Sequence, residues 1–146
     1  NKDFVSCFIN IDLEAVASWA ERNNIAYSGY IDLAGQSSVY DLISKEIDKV
    51  NEDLAEDLEL SDSQIKRFLI LHKELDADDG ELTRTNKVRR NLISERYGKL
   101  VDALYSIEDH CFIETEVTFE DGRKGSISAD LKIQDMKIID LKDKVA

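Results

Sequence analysis

Apolar positions recur along this chain with three different periods, and each period predicts a different element. Residues 4–11 form a short continuous apolar run rich in Phe, Val and Ile, which predicts a buried strand. Asp12 is placed to cap a helix whose residues Leu13, Val16, Ala17 and Ala20 fall at helical spacing. Trp19 lies off that stripe and is free to cover a second surface; Asn23-Asn24 ends the helix. Residues 25–33, with Tyr27, Gly29 and Tyr30, read as a connection. Ser38 followed by Asp41 resembles a capping box, and the helix after it carries the stripe Val39, Leu42, Ile43, Ile47, Val50 and Leu54. Residues 55–63 are acidic and polar and read as a loop. Residues 65–71 hold the run Phe68, Leu69, Ile70 and Leu71 and read as a second strand. Residues 75–86 form a further loop. Val88, Leu92, Ile93, Tyr97, Leu100, Val101 and Leu104 then predict one long helix, with Arg89, Arg90, Glu95, Arg96 and Lys99 on its opposite face.

The tail changes period. Cys111, Ile113, Thr115, Val117 and Phe119 alternate with Phe112, Glu114, Glu116 and Thr118, and Ile127, Ala129, Leu131 and Ile133 alternate after Glu120-Asp121-Gly122. This predicts a hairpin. Parity selects its turn. A two-residue Asp121-Gly122 loop sets Val117 opposite Ser126 and mismatches the apolar faces. A three-residue loop with Gly122 left-handed sets Thr115 opposite Ile127 and Ile113 opposite Ala129, and is the expectation. The fold class that follows is α+β: a small mixed sheet with packed helices plus a C-terminal β-hairpin. The one subdomain boundary falls near residues 106–110, separating 1–106 from a hairpin extension over 107–146 that packs on the same domain.

With 146 residues, 42% of them apolar and 34% charged, the chain suits one soluble domain with a real core. Its apolar runs are far too short to span a membrane. The start, Asn1-Lys2-Asp3, shows no signal-peptide pattern, and the missing initiator Met leads to the expectation of a piece cut from a larger protein. Cys7 and Cys111 are expected as buried reduced thiols. Two Cys with the distant His72 and His110 do not make a zinc site, so no metal is expected. Both histidines are read as structural. A net charge of −12 argues against a nucleic-acid partner.

The charge is uneven. Residues 46–81 carry Glu46, Asp48, Glu52, Asp53, Glu56, Asp57, Glu59, Asp62, Glu74, Asp76, Asp78, Asp79 and Glu81, read as a solvated surface rather than a Mg site. Residues 84–99 carry Arg84, Lys87, Arg89, Arg90, Arg96 and Lys99 against Glu95 alone. In the stretch Asp79-Gly80-Glu81-Leu82-Thr83-Arg84-Thr85-Asn86-Lys87-Val88-Arg89-Arg90, a polar loop delivers Lys87 to the expected start of a helix. That layout suits anion chemistry, because a helix N-terminus adds partial positive charge to the full charge of the ammonium. The plain alternative is a basic helix face that does no more than hold water.

This stretch, with Glu95-Arg96-Tyr97 and Leu104-Tyr105 after it, resembles the C-terminal lysine motif of AMP-forming long-chain acyl-CoA synthetases. Residues 1–12 resemble the strand that opens the small C-terminal domain of these ligases. Val16 to Ile25, with Trp19-Ala20-Glu21, is similar to the next helix, and Gln64-Ile65-Lys66-Arg67-Phe68-Leu69-Ile70-Leu71 to the central strand. Each segment alone is weak; four in order and spacing over residues 1–106 are specific. Two positions depart from the pattern. Arg84 stands where proline is common, and Asn86 replaces an apolar residue or glycine beside the lysine.

The resemblance implies a ligase that joins a fatty acid to ATP, then passes the acyl group to coenzyme A. ATP with Mg, the fatty acid and coenzyme A would be substrates of the full-length enzyme, with none expected bound to this chain alone. The partner is a missing N-terminal adenylation domain, over which the small domain closes. Lys87 is implied as the adenylation lysine. Gly80, Glu81, Thr83 and Thr85 are expected to position its loop, the last three through side-chain bonds to the backbone. Arg89 and Arg90 are candidates for contact with the nucleotide or the large domain. The expected location is the cytoplasm, with peripheral membrane contact left open. The rival readings are a fatty acyl-AMP ligase with another acceptor, a stand-alone non-catalytic module of the same fold, and an acidic structural domain unrelated to ligases.

Overall fold

Strand β2 (Ile65–Ile70) is the centre around which the chain is built. The computed structural model describes residues 4–77, 79–119 and 121–140. Strand β1 (Val5–Ile9) runs parallel to β2 on one side, and the short β5 (Gln134–Asp135) runs antiparallel on the other, giving a mixed sheet of order β1-β2-β5. Phe68 to Leu71 are fully buried, and each such side chain contributes about 1.5–3 kcal/mol. Their alternation splits the core. Phe68 and Ile70 face Ile11, Val16, Leu33, Val39 and Ile47, whereas Leu69 and Leu71 face Ile93, Leu100, Ile113 and Leu131. The α+β class and the small mixed sheet expected from the sequence are therefore those of the molecule.

Helix α1 (Leu13–Arg22) starts as expected, with the Ala15 amide donating to Asp12 Oδ1 at 3.3 Å. Helix α2 (Tyr30–Gly35) occupies part of the expected connection. Helix α3 (Ser37–Ala55) starts without the expected capping box: Gln36 is its N-cap, no side chain caps it, and Ser38 lies inside the helix. Its buried face also rotates from expectation. Val50 is exposed, while Tyr40, Asn51 and Ala55 are buried. Asn51 is tolerated there because its amide both donates to Ile65 O (2.9 Å) and accepts from Ile65 N (2.8 Å). Trp19 covers no second surface; it packs on the same core as α1's stripe. Strand β1 is only partly buried because it is an edge strand with a single neighbour.

The expected long helix is two short ones, α4 (Arg90–Arg96) and α5 (Gly98–Leu104), broken at Tyr97. Gly98 at the break disfavours a continuous helix. Strands β3 (His110–Thr118) and β4 (Lys124–Lys132) form the tail hairpin. Thr115 pairs with Ile127 and Ile113 with Ala129, as parity required. The Phe119 amide bonds Arg123 O at 2.8 Å, leaving three residues in the loop, and Gly122 has φ +85°. Asn1, Lys2, Asp3, Asp78 and Glu120, which the sequence readings used, lie outside the described residues.

Candidate functional site

Lys87 does not open a helix. It sits at the far side of a tight turn, three residues before α4. The Thr83 amide donates to Lys87 O at 2.8 Å, the Asn86 amide donates to Thr83 O at 2.9 Å, and Asn86 has φ +62°. A bridge between Leu82 and Val88 extends the pair, and the Arg89 amide closes its base on Glu81 O at 2.9 Å. The result is a miniature hairpin with the same three-residue turn as the tail, Asn86 standing where Gly122 stands there. Asn is one of the few side chains that enters the left-handed region. Val88, expected on the helical stripe, is therefore half-exposed. The positive charge at this site comes from side chains, not from a helix N-terminus.

The loop residues take distinct places. Gly80 has φ +76°, and its carbonyl accepts from the Arg89 guanidinium at 3.1 Å. Thr83 Oγ1 accepts from the Lys87 amide at 3.1 Å and meets Thr85 Oγ1 at 3.1 Å. Arg84, Thr85, Lys87, Arg89 and Arg90 are exposed together around the turn. Arg96 is not part of that exposed face: it points inward to Glu81 (3.2 Å) and to Asp79 O (3.1 Å). Lys99 lies over the Phe112 ring, 5.9 Å from its centroid.

Glu81 is fully buried, which corrects the reading of the acidic run as solvated throughout. Rather than bonding only its own loop, its carboxylate gathers side chains. It accepts from Lys73 Nζ, from the Tyr97 hydroxyl and from the Asp76 amide (3.2 Å). Asp79 is half-buried as a residue, but its side chain is only 4% exposed. Its carboxylate pairs with Lys73 at 3.0 Å and accepts the Thr118 amide at 2.7 Å. Burial opposes ionisation of Asp79, but the Thr118 amide, Lys73 and Arg96 outweigh it and hold the carboxyl below its ordinary range. Burial, then the Glu81 carboxylate, drives the Tyr97 hydroxyl far up, so it stays a donor.

Sequence reasoning missed Lys73, Asp79 and Tyr97 as a unit. One signal was present: Lys73 lies just beyond the buried apolar run Phe68 to Leu71, where a charged group needs buried partners. Beside this unit, a cavity of about 590 Å³ is lined by Tyr30, Ile31, His72, Lys73, Val117 and Phe119 among others, but not by Lys87. His72 is buried, bonded through Nε2 to Thr115 Oγ1 at 2.9 Å, with Nδ1 unpartnered. His110 is exposed and pairs with Asp130 at 2.9 Å. Cys111 is buried and Cys7 half-buried, both as free thiols. Among the described residues, no cluster of three or more His, Cys, Asp and Glu could hold a metal ion, and no helix is long and apolar enough to cross a membrane.

Comparison of the sequence with known proteins gives the class of protein to which this chain is similar. The chain is similar to long-chain-fatty-acid–CoA ligases and carries an acyl-CoA-ligase-related domain. It is 31% identical over 109 residues to long-chain-fatty-acid–CoA ligase FadD15 of Mycobacterium tuberculosis, covering 73% of this chain and 17% of that protein. The FadD15 protein of Mycobacterium bovis matches to the same extent. Long-chain-fatty-acid–CoA ligase ACSBG2 of Rattus norvegicus is 35% identical over 68 residues, 47% of this chain and 10% of that protein. The chain thus spans about a sixth of the length of the FadD15 relatives it matches. No family model and no solved structure matches it.

Proposed function

We propose that this chain is the C-terminal cap domain of a long-chain fatty acid–CoA ligase and that Lys87 is its adenylation lysine. The observation that carries the reading is the placement of Lys87, an exposed ammonium on a turn whose base is bonded to a buried charged core, within a ligase-related domain. Adenylation brings a carboxylate against the α-phosphate of ATP, and negative charge gathers in the transition state. A lysine presented by a cap offsets that charge and fixes the approach of the two anions. The turn suits this task because its backbone is bonded internally and its base is tied to the core, so the side chain alone has to find the substrate. Arg89 is engaged with Gly80 O, which gives it a part in holding the loop. Arg90, exposed at the start of α4, is the better placed of the two to meet the nucleotide or the adenylation domain. ATP with Mg, the fatty acid and coenzyme A would then be bound mainly by that larger domain.

The test is Lys87→Ala in the full-length enzyme. Formation of acyl-adenylate is expected to slow roughly 10²–10³-fold, the scale of losing one oriented charge donor. Thioester formation from supplied acyl-adenylate is expected to continue at its normal rate. Equal loss in both half-reactions would remove Lys87 from the role.

A further inference from the structure

The tail hairpin reaches the lysine turn through buried charge. The amide of Thr118, at the end of β3, donates to Asp79 Oδ1 at 2.7 Å. The other oxygen of Asp79 meets Lys73 Nζ at 3.0 Å, and the same ammonium meets Glu81 Oε1. Glu81 Oε2 is held by Tyr97 and Arg96 at the break between α4 and α5, and Glu81 O is the base bond of the Lys87 turn. Arg96 also donates to Asp79 O at 3.1 Å, so both carboxylate residues share this cation. The side chains of Lys73, Asp79 and Glu81 are each more than nine-tenths buried, at 9%, 4% and 0% exposed. Groups this buried are costly to leave unpaired, so the partners have little freedom to shift independently. A second tie runs beside it, from His72 on the β2 exit to Thr115 in β3.

We propose that Asp79, Lys73 and Glu81 form a latch through which the C-terminal hairpin sets the position of the Lys87 turn. They are positioning residues: none is on the exposed face of the turn, and each acts through the backbone that carries Lys87. The catalytic consequence rests on the functional reading of Lys87 given above. The structural consequence does not.

The experiment is amide hydrogen exchange on the full-length protein carrying Asp79→Ala, read beside its half-reaction rates. Exchange at the bonded amides of Thr83, Asn86, Lys87 and Arg89 is expected to rise about tenfold or more, with Thr118 following, while Phe68 to Ile70 stay protected as part of the stable core. If Asp79→Ala does not fold, Asp79→Asn serves. It keeps an oxygen for the Thr118 amide and is expected to give the same pattern with a smaller rise. Unchanged exchange in the turn overturns the latch. An equal rise in β2 also overturns it, because Asp79 would then only support the fold. In the half-reactions, Asp79→Ala is expected to slow adenylation alone, and to add nothing when Lys87→Ala is already present. If Lys87→Ala slows adenylation and Asp79→Ala does not, the latch is overturned in catalysis and the reading of Lys87 stands. If Lys87→Ala has no effect on adenylation, the functional reading falls, and the exchange data still decide the latch.

Discussion

Asn86 and Gly122 close two hairpins with the same turn, yet only one of them is glycine. At φ +62°, Asn86 tolerates the left-handed region because its short polar side chain is compatible with it. A β-branched residue is not. Asn86→Val is expected to destabilise the turn by about 1–2 kcal/mol, whereas Asn86→Gly stays near neutral. Exchange of the Thr83 and Lys87 amides in the two variants checks this, since the cost falls on the turn and leaves the core alone. A second residue-scale effect is set by His72. Burial, then the neighbouring Lys73 charge, lowers its pKa from 6.5, while Glu81 opposes the shift more weakly; Thr115 and Tyr97 complete its surroundings. The unfolded chain takes up this proton near 6.5, but the folded chain does so only at lower pH. The stabilisation is therefore full above 6.5 and is lost as pH falls through the folded value. His110, whose pKa is raised by Asp130, works in the opposite direction. His72→Gln, which leaves His110 in place, is expected to flatten the acid fall in denaturant midpoint between pH 7 and 5. A slope equal to wild type would show that His72 does not titrate in this way.

At the scale of elements, what could be read in the sequence was what repeats with a clean period. The hairpin was legible down to its register because a slip of one residue turns Ile113 and Val117 outward, and only a three-residue loop avoids that. Strand β2 was legible from a run of four apolar residues. Helix α2 was not, since six residues are too few to establish a period and Gly29 and Gly35 frame it like a loop. The break between α4 and α5 was not legible either. The apolar stripe from Leu92 to Leu104 continues across it and outweighs the single local signal, Gly98, while the Tyr97 hydroxyl at the break bonds to Glu81, a tertiary contact that no local pattern shows. The candidate site divides in the same way. Lys87 was identified from local order and resemblance. The turn beneath it was missed because Thr-Arg-Thr-Asn is a weaker turn signal than Glu-Asp-Gly. The carboxylates Asp79 and Glu81 were hidden in a run of acids whose other described members face water, and nothing local separates a buried carboxylate from an exposed one.

For the molecule as a whole, the question is what makes the hairpin part of one body with the helices and the sheet. Apolar contact supplies some of it through Ile113, Leu131 and Ile133, and the Tyr40 hydroxyl adds a bond to Lys132 O at 2.7 Å while receiving one from the Ile70 amide at 3.1 Å. The larger tie is Arg67, 4% exposed in the middle of β2. Its guanidinium donates to the carbonyls of Ala103 (3.1 Å), Leu104 (2.9 Å) and Ser106 (2.6 Å), and to that of Glu108, while Nε meets Asp135 of β5 at 2.9 Å. These carbonyls end α5 and lead into β3, so one side chain from the central strand satisfies the end of the last helix and fixes where the hairpin begins. Arg suits the place because its planar fork spreads five donors over three nitrogens, whereas Lys carries its three on a single nitrogen. Arg67→Met would keep much of the volume but leave several carbonyls short of a donor, at about 1–3 kcal/mol for each one that stays buried. Arg67→Lys would recover only part of this. The expected outcome is a loss of at least about 3 kcal/mol for Arg67→Met, read as a lower denaturant midpoint, with Arg67→Lys between it and wild type. If Arg67→Met matched wild type, apolar packing alone would suffice to hold the hairpin. The latch at Asp79 would then act on an element seated without help from buried charge elsewhere.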